Sequence, residues 1–131
     1  MYYIGGNYPV NRVYDATYQP LTVVLKIGTS SIVSNDSSAS GVIQLSQLAR
    51  LSETTVKLVS RGFNVIIVSS GAVGLGCARL GLKERPTTVA GKQAAAAVGQ
   101  VKLMTLYDDM FAVLGRPCAQ VLLTYDSFGE R

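Results

Sequence analysis

Apolar positions recur along this chain in two rhythms. Thr22-Val23-Val24-Leu25-Lys26-Ile27 and Val65-Ile66-Ile67-Val68 are compact β-branched runs; both predict strands, the second buried on both faces. Between them Leu45, Leu48, Ser52, Thr55, Val56 and Val59 recur at i, i+3, i+4 spacing, while Gln44, Gln47, Arg50, Glu53 and Lys57 fall on other faces. That spacing predicts an amphipathic helix starting at Ser40 or Gly41 and ended by Gly62. A small-residue helix opens directly after the second strand, at Ser70-Gly71-Ala72, and runs out near Gly81. Thr87 or Thr88 is placed to cap a long helix that carries Val98, Val101, Leu103, Met104, Leu106, Met110 and Phe111, with an interruption at Gly99 and a stop at Gly115. Residues 117–123 predict a third strand. Residues 1–20 hold five of the seven tyrosines without periodicity and close on Pro20, which predicts an irregular N-terminal extension.

The order strand, helix, strand, helix, helix, strand predicts an α/β fold: a mostly parallel sheet sandwiched between helices, with right-handed crossovers. In such sheets ligands gather at the carboxyl ends of the strands. Two glycine-serine corners fall there, Gly28-Thr29-Ser30-Ser31 and Ser69-Ser70-Gly71-Ala72, and the topology turns both toward one crevice. A helix start leaves backbone N–H groups without internal partners and carries the positive end of the helix dipole, so the second corner suits an anion, phosphate or carboxylate. At the first corner, Lys26 sets an ammonium beside a glycine that permits close approach and hydroxyls that donate to oxyanions. One reading is a phosphate cradle; the other is a strand-end lysine reaching solvent ahead of an ordinary turn. The equivalent position of the two corners favours the cradle.

Two familiar nucleotide motifs are absent. Gly91-Lys92 is followed by Gln93 instead of Ser or Thr, so there is no P-loop. Gly74-Leu75-Gly76 lies inside the helix and has Arg79 where a dinucleotide fingerprint needs its third glycine; its expected role is close packing of that helix on the sheet. Asp108 and Asp109 diverge by about 100° around a helix and cannot share one site. Gln93, Gln100 and Lys102 fit either surface or site-supporting roles.

Composition narrows the chemistry. There is no histidine among the 131 residues, which excludes serine triads and His-ligated zinc. A hydrophobic content of 48% against 15% charged residues is too apolar for a disordered chain, and no apolar run approaches the ~18 residues of a membrane span. The net charge of +4 is scattered; Arg79, Lys83, Arg85 and Lys92 are its nearest approach to a cluster, a solvated face or a patch facing a polyphosphate. Nucleic-acid binders concentrate charge more strongly. Cys77 and Cys118 form no CxxC pair and are expected to be reduced thiols. The first twenty residues do not have the layout of a secretory signal, so the expected location is cytoplasmic.

Four ordered blocks carry a resemblance: residues 23–30, VVLKIGTS; 68–76, VSSGAVGLG; 92–100, KQAAAAVGQ; and 120–124, QVLLT. Together they resemble the N-terminal half of the glutamate 5-kinases, of the amino acid kinase superfamily, from about Leu21 to Arg131. The resemblance implies an incomplete three-layer α/β/α domain over 21–131 and ATP-dependent phosphorylation of the side-chain carboxylate of L-glutamate, the first step of proline synthesis. It places Lys26 as the catalytic lysine on the ATP phosphates, with Gly28, Thr29 and Ser30 beside it, and Ser70, Gly71 and Ala72 on the glutamate. It implies ATP with Mg2+, for which no protein ligand is identifiable, a homo-oligomer, and functional coupling to glutamyl phosphate reductase. The asparagine and aspartate residues that complete the family's glutamate site, the base-contacting regions and a second catalytic lysine have no counterpart in these 131 residues. The chain is therefore expected to be inactive alone. The rival expectations are a non-catalytic binding module of the same fold, or an amino acid kinase acting on aspartate or acetylglutamate.

Overall fold

The computed structural model describes residues 2–4, 20–34, 43–122 and 129. The elements are β1 (Tyr2–Ile4), β2 (Thr22–Ile27), a 3-10 turn (Thr29–Ser31), α1 (Leu45–Ser60), β3 (Asn64–Ser69), α2 (Ala72–Arg79), α3 (Val89–Val113) and β4 (Ala119–Gln120). The four strands form one sheet in the order β2-β3-β1-β4. The pair at its heart is parallel: β2 lies beside β3 with Thr22 opposite Asn64 and Ile27 opposite Ser69. Both strands therefore end at the same level, the arrangement needed to bring the two corners together.

Several expectations are corrected here. The 1–20 segment is not irregular throughout, because Tyr2–Ile4 forms a strand antiparallel to both β3 and β4. Three residues are too short to show a period, and the strand exists only through pairing with segments distant in sequence. Residues 5–19 lie outside the described residues. With β1 inserted, β4 meets no parallel neighbour, and it spans two residues of the expected 117–123; Leu123 is outside the described set. Helix α1 begins at Leu45, because Ile43 is held in a bridge with Val33; Ser40 and Gly41 are not described.

The expected α/β arrangement of a sheet covered by helices is present. Leu48 and Val59 of α1, Leu75 of α2, and Leu103, Leu106, Tyr107 and Phe111 of α3 meet Val65 and Ile67 of β3 in a single core. Each such side chain removed from water contributes about 1.5–3 kcal/mol. The strand period of two sends Val24 and Val68 to the opposite face, where they are 59% and 40% exposed.

Helix α3 starts as its sequence predicts. Thr88 is in extended conformation and its hydroxyl accepts the Gly91 N–H at 3.1 Å. Gly99 does not interrupt it, since the helix continues to Val113. Gly76 and Gly99 are instead where α2 and α3 cross: a Cβ on Gly76 would collide with the Ala95 carbonyl, and one on Gly99 with the Ala72 carbonyl and the Gly76 nitrogen. Gly76 of the α2 glycine pattern thus serves packing against a helix, not against the sheet. Cys77 and Cys118 are free thiols; burial, and then the negative charge of Asp108, push the Cys118 thiol up. Asp108 and Asp109 are exposed.

Candidate functional site

The site is built where β2 and β3 stop. After Ile27 the chain turns through the 3-10 segment, closed by Ser31 N–H to the Gly28 carbonyl at 3.1 Å and Ile32 N–H to the Thr29 carbonyl at 3.0 Å. Ile32, 1% exposed, plugs this turn into the core. Gln44, just ahead of α1, donates its side-chain amide to the Ser30 carbonyl at 2.9 Å. These contacts hold the Gly28-Thr29-Ser30-Ser31 turn in place.

The second corner is tied to the first. Ser70 donates its backbone N–H (3.0 Å) and its hydroxyl (3.1 Å) to the Ile27 carbonyl, and Thr29 donates its hydroxyl to Ser70 Oγ at 3.3 Å. Gly71 then turns the chain with φ 125°, a conformation that strains any side chain, and α2 begins. Gly71 offers no side chain to cap that helix. The N–H groups of Ala72, Val73 and Gly74 have no acceptor among the described residues, so they remain available to a ligand along with the helix dipole.

A crevice of about 240 Å³ opens at this point. It is lined by Thr29, by Ser69 to Gly74, and by Arg85, Gln100 and Leu103. Of the residues singled out from sequence, Thr29, Ser70, Gly71 and Ala72 line it. Lys26, Gly28 and Ser30 do not: they border the same strand ends outside the lining. Lys26 is exposed, with its Nζ 3.9 Å from where a Gly28 Cβ would sit, and it makes no hydrogen bond or ion pair among the described residues. A Cβ at Gly28 would meet no other atom within 4 Å.

Three lining or supporting residues were not identified from sequence. Arg85, which the sequence places with Arg79, Lys83 and Lys92 as a solvated face or a patch facing a polyphosphate, lines the crevice and has no ion-pair partner among the described residues. Gln100, undecided from sequence, lines the crevice one turn of α3 before Leu103. Tyr107 is completely buried and donates its hydroxyl to Ser69 Oγ at 2.8 Å. Among the described residues no group of three or more Cys, Asp or Glu could hold a metal ion.

A crevice walled by free N–H groups, hydroxyls and an arginine is chemistry for an anion held at the ends of parallel strands. The model of the amino acid kinase family matches residues 21–131, the whole chain beyond Pro20. The chain belongs to the amino acid kinase family. It is also similar to glutamate 5-kinase of Synechococcus sp. strain JA-3-3Ab, 57% identical over 110 residues, which are 84% of this chain and 29% of that relative. Glutamate 5-kinase of Gloeobacter violaceus is 56% identical over 111 residues, 85% of this chain and 29% of the relative. That of Synechocystis sp. strain PCC 6803 is 53% identical over 113 residues, 86% of this chain and 29% of the relative. The chain spans about 29% of the length of these curated relatives.

Proposed function

We propose that this chain is the glutamate- and phosphate-holding portion of a glutamate 5-kinase, with L-glutamate and ATP as substrates and L-glutamyl 5-phosphate, the first intermediate of proline synthesis, as product. The observation that carries the reading is the junction of the two corners: Thr29 hydrogen-bonded to Ser70 beside three free N–H groups of α2. In this reading Ser70, Gly71 and Ala72 hold the glutamate, and Lys26, Gly28, Thr29 and Ser30 meet the ATP phosphates.

The chemistry asks little of a base. A glutamate carboxylate is ionised at pH 7, with an ordinary pKa near 4.3, so one of its oxygens attacks the terminal phosphorus directly. The new O–P bond forms as the bond to the leaving ADP oxygen breaks, and no proton moves. What the protein supplies is position and neutralisation of the charge on the transferring phosphoryl group. Lys26 brings a positive point charge; the α2 N–H groups and Arg85 hold the carboxylate against it. A chain without histidine is adequate for such a step. Magnesium would arrive with the ATP phosphates; the described residues offer no cluster to hold it alone, and no step here depends on it.

An acyl phosphate hydrolyses readily, so a glutamyl phosphate reductase acting close by belongs to the same proposal, as do a homo-oligomeric assembly and a cytoplasmic location. Among the described residues no helix is long and apolar enough to cross a membrane.

The test is trapping of acyl phosphate with hydroxylamine, using this chain and a version extended to the full length of its relatives. Glutamate-dependent hydroxamate from the extended protein, with none from the 131-residue chain, is expected. Extended protein that forms none from glutamate would overturn the reading. Aspartate and acetylglutamate, offered in competition, are expected to yield no hydroxamate.

A further inference from the structure

We propose that Tyr107 is a positioning residue for the substrate corner, acting through Ser69 on the Ser70–Gly71 peptide; this rests on the reading of that corner as the glutamate site. Tyr107 is 0% exposed and lies in the core beside Leu103 and Phe111. Phenylalanine would fill the same space, so packing does not account for the hydroxyl, which needs a polar partner when buried. It donates to Ser69 Oγ at 2.8 Å. Ser69 in turn donates to the carbonyl of Ser70 at 3.2 Å.

The direction of this relay matters. A serine hydroxyl has one proton and rotates to suit its surroundings. By donating to Ser69, Tyr107 occupies one of its acceptor directions and leaves the Ser69 proton to point at the Ser70 carbonyl; linked bonds of this kind polarise one another. That carbonyl belongs to the planar, trans peptide whose other edge is the Gly71 N–H. Gly71, at φ 125°, has the backbone freedom that would let this peptide rotate. The relay restrains it from the core side, while Thr29 and Ile27 restrain the Ser70 side chain from the other. The floor of the crevice is thereby presented as a fixed set of donors, and the entropy of ordering it is not charged to substrate binding.

The experiment compares Tyr107→Phe, Ser69→Ala and the double variant in the chain extended to the full length of its relatives, measuring KM for glutamate, KM for ATP, kcat and the melting midpoint. Each single variant is expected to raise KM for glutamate about fivefold to tenfold and leave KM for ATP unchanged. The double variant is expected to be no worse than the more affected single, because both break one relay. Ser69→Ala leaves the core intact, so it tests the relay even if Tyr107→Phe folds poorly. An unchanged KM for glutamate in Ser69→Ala, or effects that multiply in the double variant, would overturn the proposal. A purely structural Tyr107 would lower the melting midpoint and the active fraction without moving KM. Failure of the underlying reading is distinct, since the unsubstituted extended protein would then form no glutamyl phosphate.

Discussion

Replacing Lys26 by alanine in the extended protein is expected to lower kcat for glutamyl phosphate formation by about 10²–10³-fold, the usual cost of removing one preorganised electrostatic contact from an active site. The melting midpoint is expected to stay where it was. Both halves of this expectation follow from the same geometry. The Lys26 side chain is exposed and makes no ion pair or hydrogen bond among the described residues, so the fold loses little when it is cut back. Its Nζ is 3.9 Å from where a Gly28 Cβ would sit, at the end of the strand. The charge it would neutralise grows as the phosphoryl group transfers, so the larger loss falls on kcat, with a smaller rise in KM for ATP from the lost ground-state contact. Arginine is expected to restore little, because a planar fork does not reproduce a compact point charge in a tight turn. Steady-state kinetics with a parallel thermal melt checks both halves; an undiminished kcat would remove the catalytic role assigned to Lys26.

The second large effect is on stability. Gly99→Ala is expected to destabilise the domain by about 3 kcal/mol or more, the upper end of overpacking costs, with a fall in the melting midpoint of roughly 10–20 °C. An added methyl would meet the Ala72 carbonyl and the Gly76 nitrogen of α2. These are backbone atoms, which cannot swing aside as a side chain can. The helices would have to separate, and Leu75 and Leu103, each under 3% exposed, would lose contact. Ala72 and Gly76 belong to the helix whose first turn faces the crevice, so substrate binding is expected to fail along with packing. Gly28→Ala is the control: its Cβ would find nothing nearer than Lys26 Nζ at 3.9 Å, so the melting midpoint is expected to hold. A calorimetric scan of both variants is decisive. Equal stability of Gly99→Ala and the unsubstituted protein would contradict the helix crossing.

The elements legible in the sequence are those whose signals are local. The β-branched runs gave β2 and β3, the i, i+3, i+4 pattern gave α1, and Thr88 marked the start of α3, because each pattern is set by neighbours a turn or two away. Thr29, Ser70, Gly71 and Ala72 could be brought to one crevice for the same reason: parallel strands flanked by helices leave their carboxyl ends together. What escaped depends on partners distant in sequence. Tyr2–Ile4 is a strand because β3 and β4 lie on either side of it. Gly99 reads as a helix breaker until α2 is laid across it. Arg85 reads equally as a solvated face or a polyphosphate-facing patch until the segment between α2 and α3 brings it to the crevice, and nothing in the spacing singles out Tyr107, whose hydroxyl ends at Ser69.

The central claim is that the two strand-end corners form one site, glutamate at the 70–72 corner and the ATP phosphates at Lys26 and the following turn. A crystal structure of the extended protein with L-glutamate and a non-hydrolysable ATP analogue tests it most directly. The account predicts a glutamate carboxylate about 2.7–3.1 Å from N–H groups of the Gly71 to Val73 backbone, with Lys26 Nζ in contact with the terminal phosphate. Glutamate bound away from that backbone, or Lys26 directed to solvent while the analogue occupies its site, would contradict it.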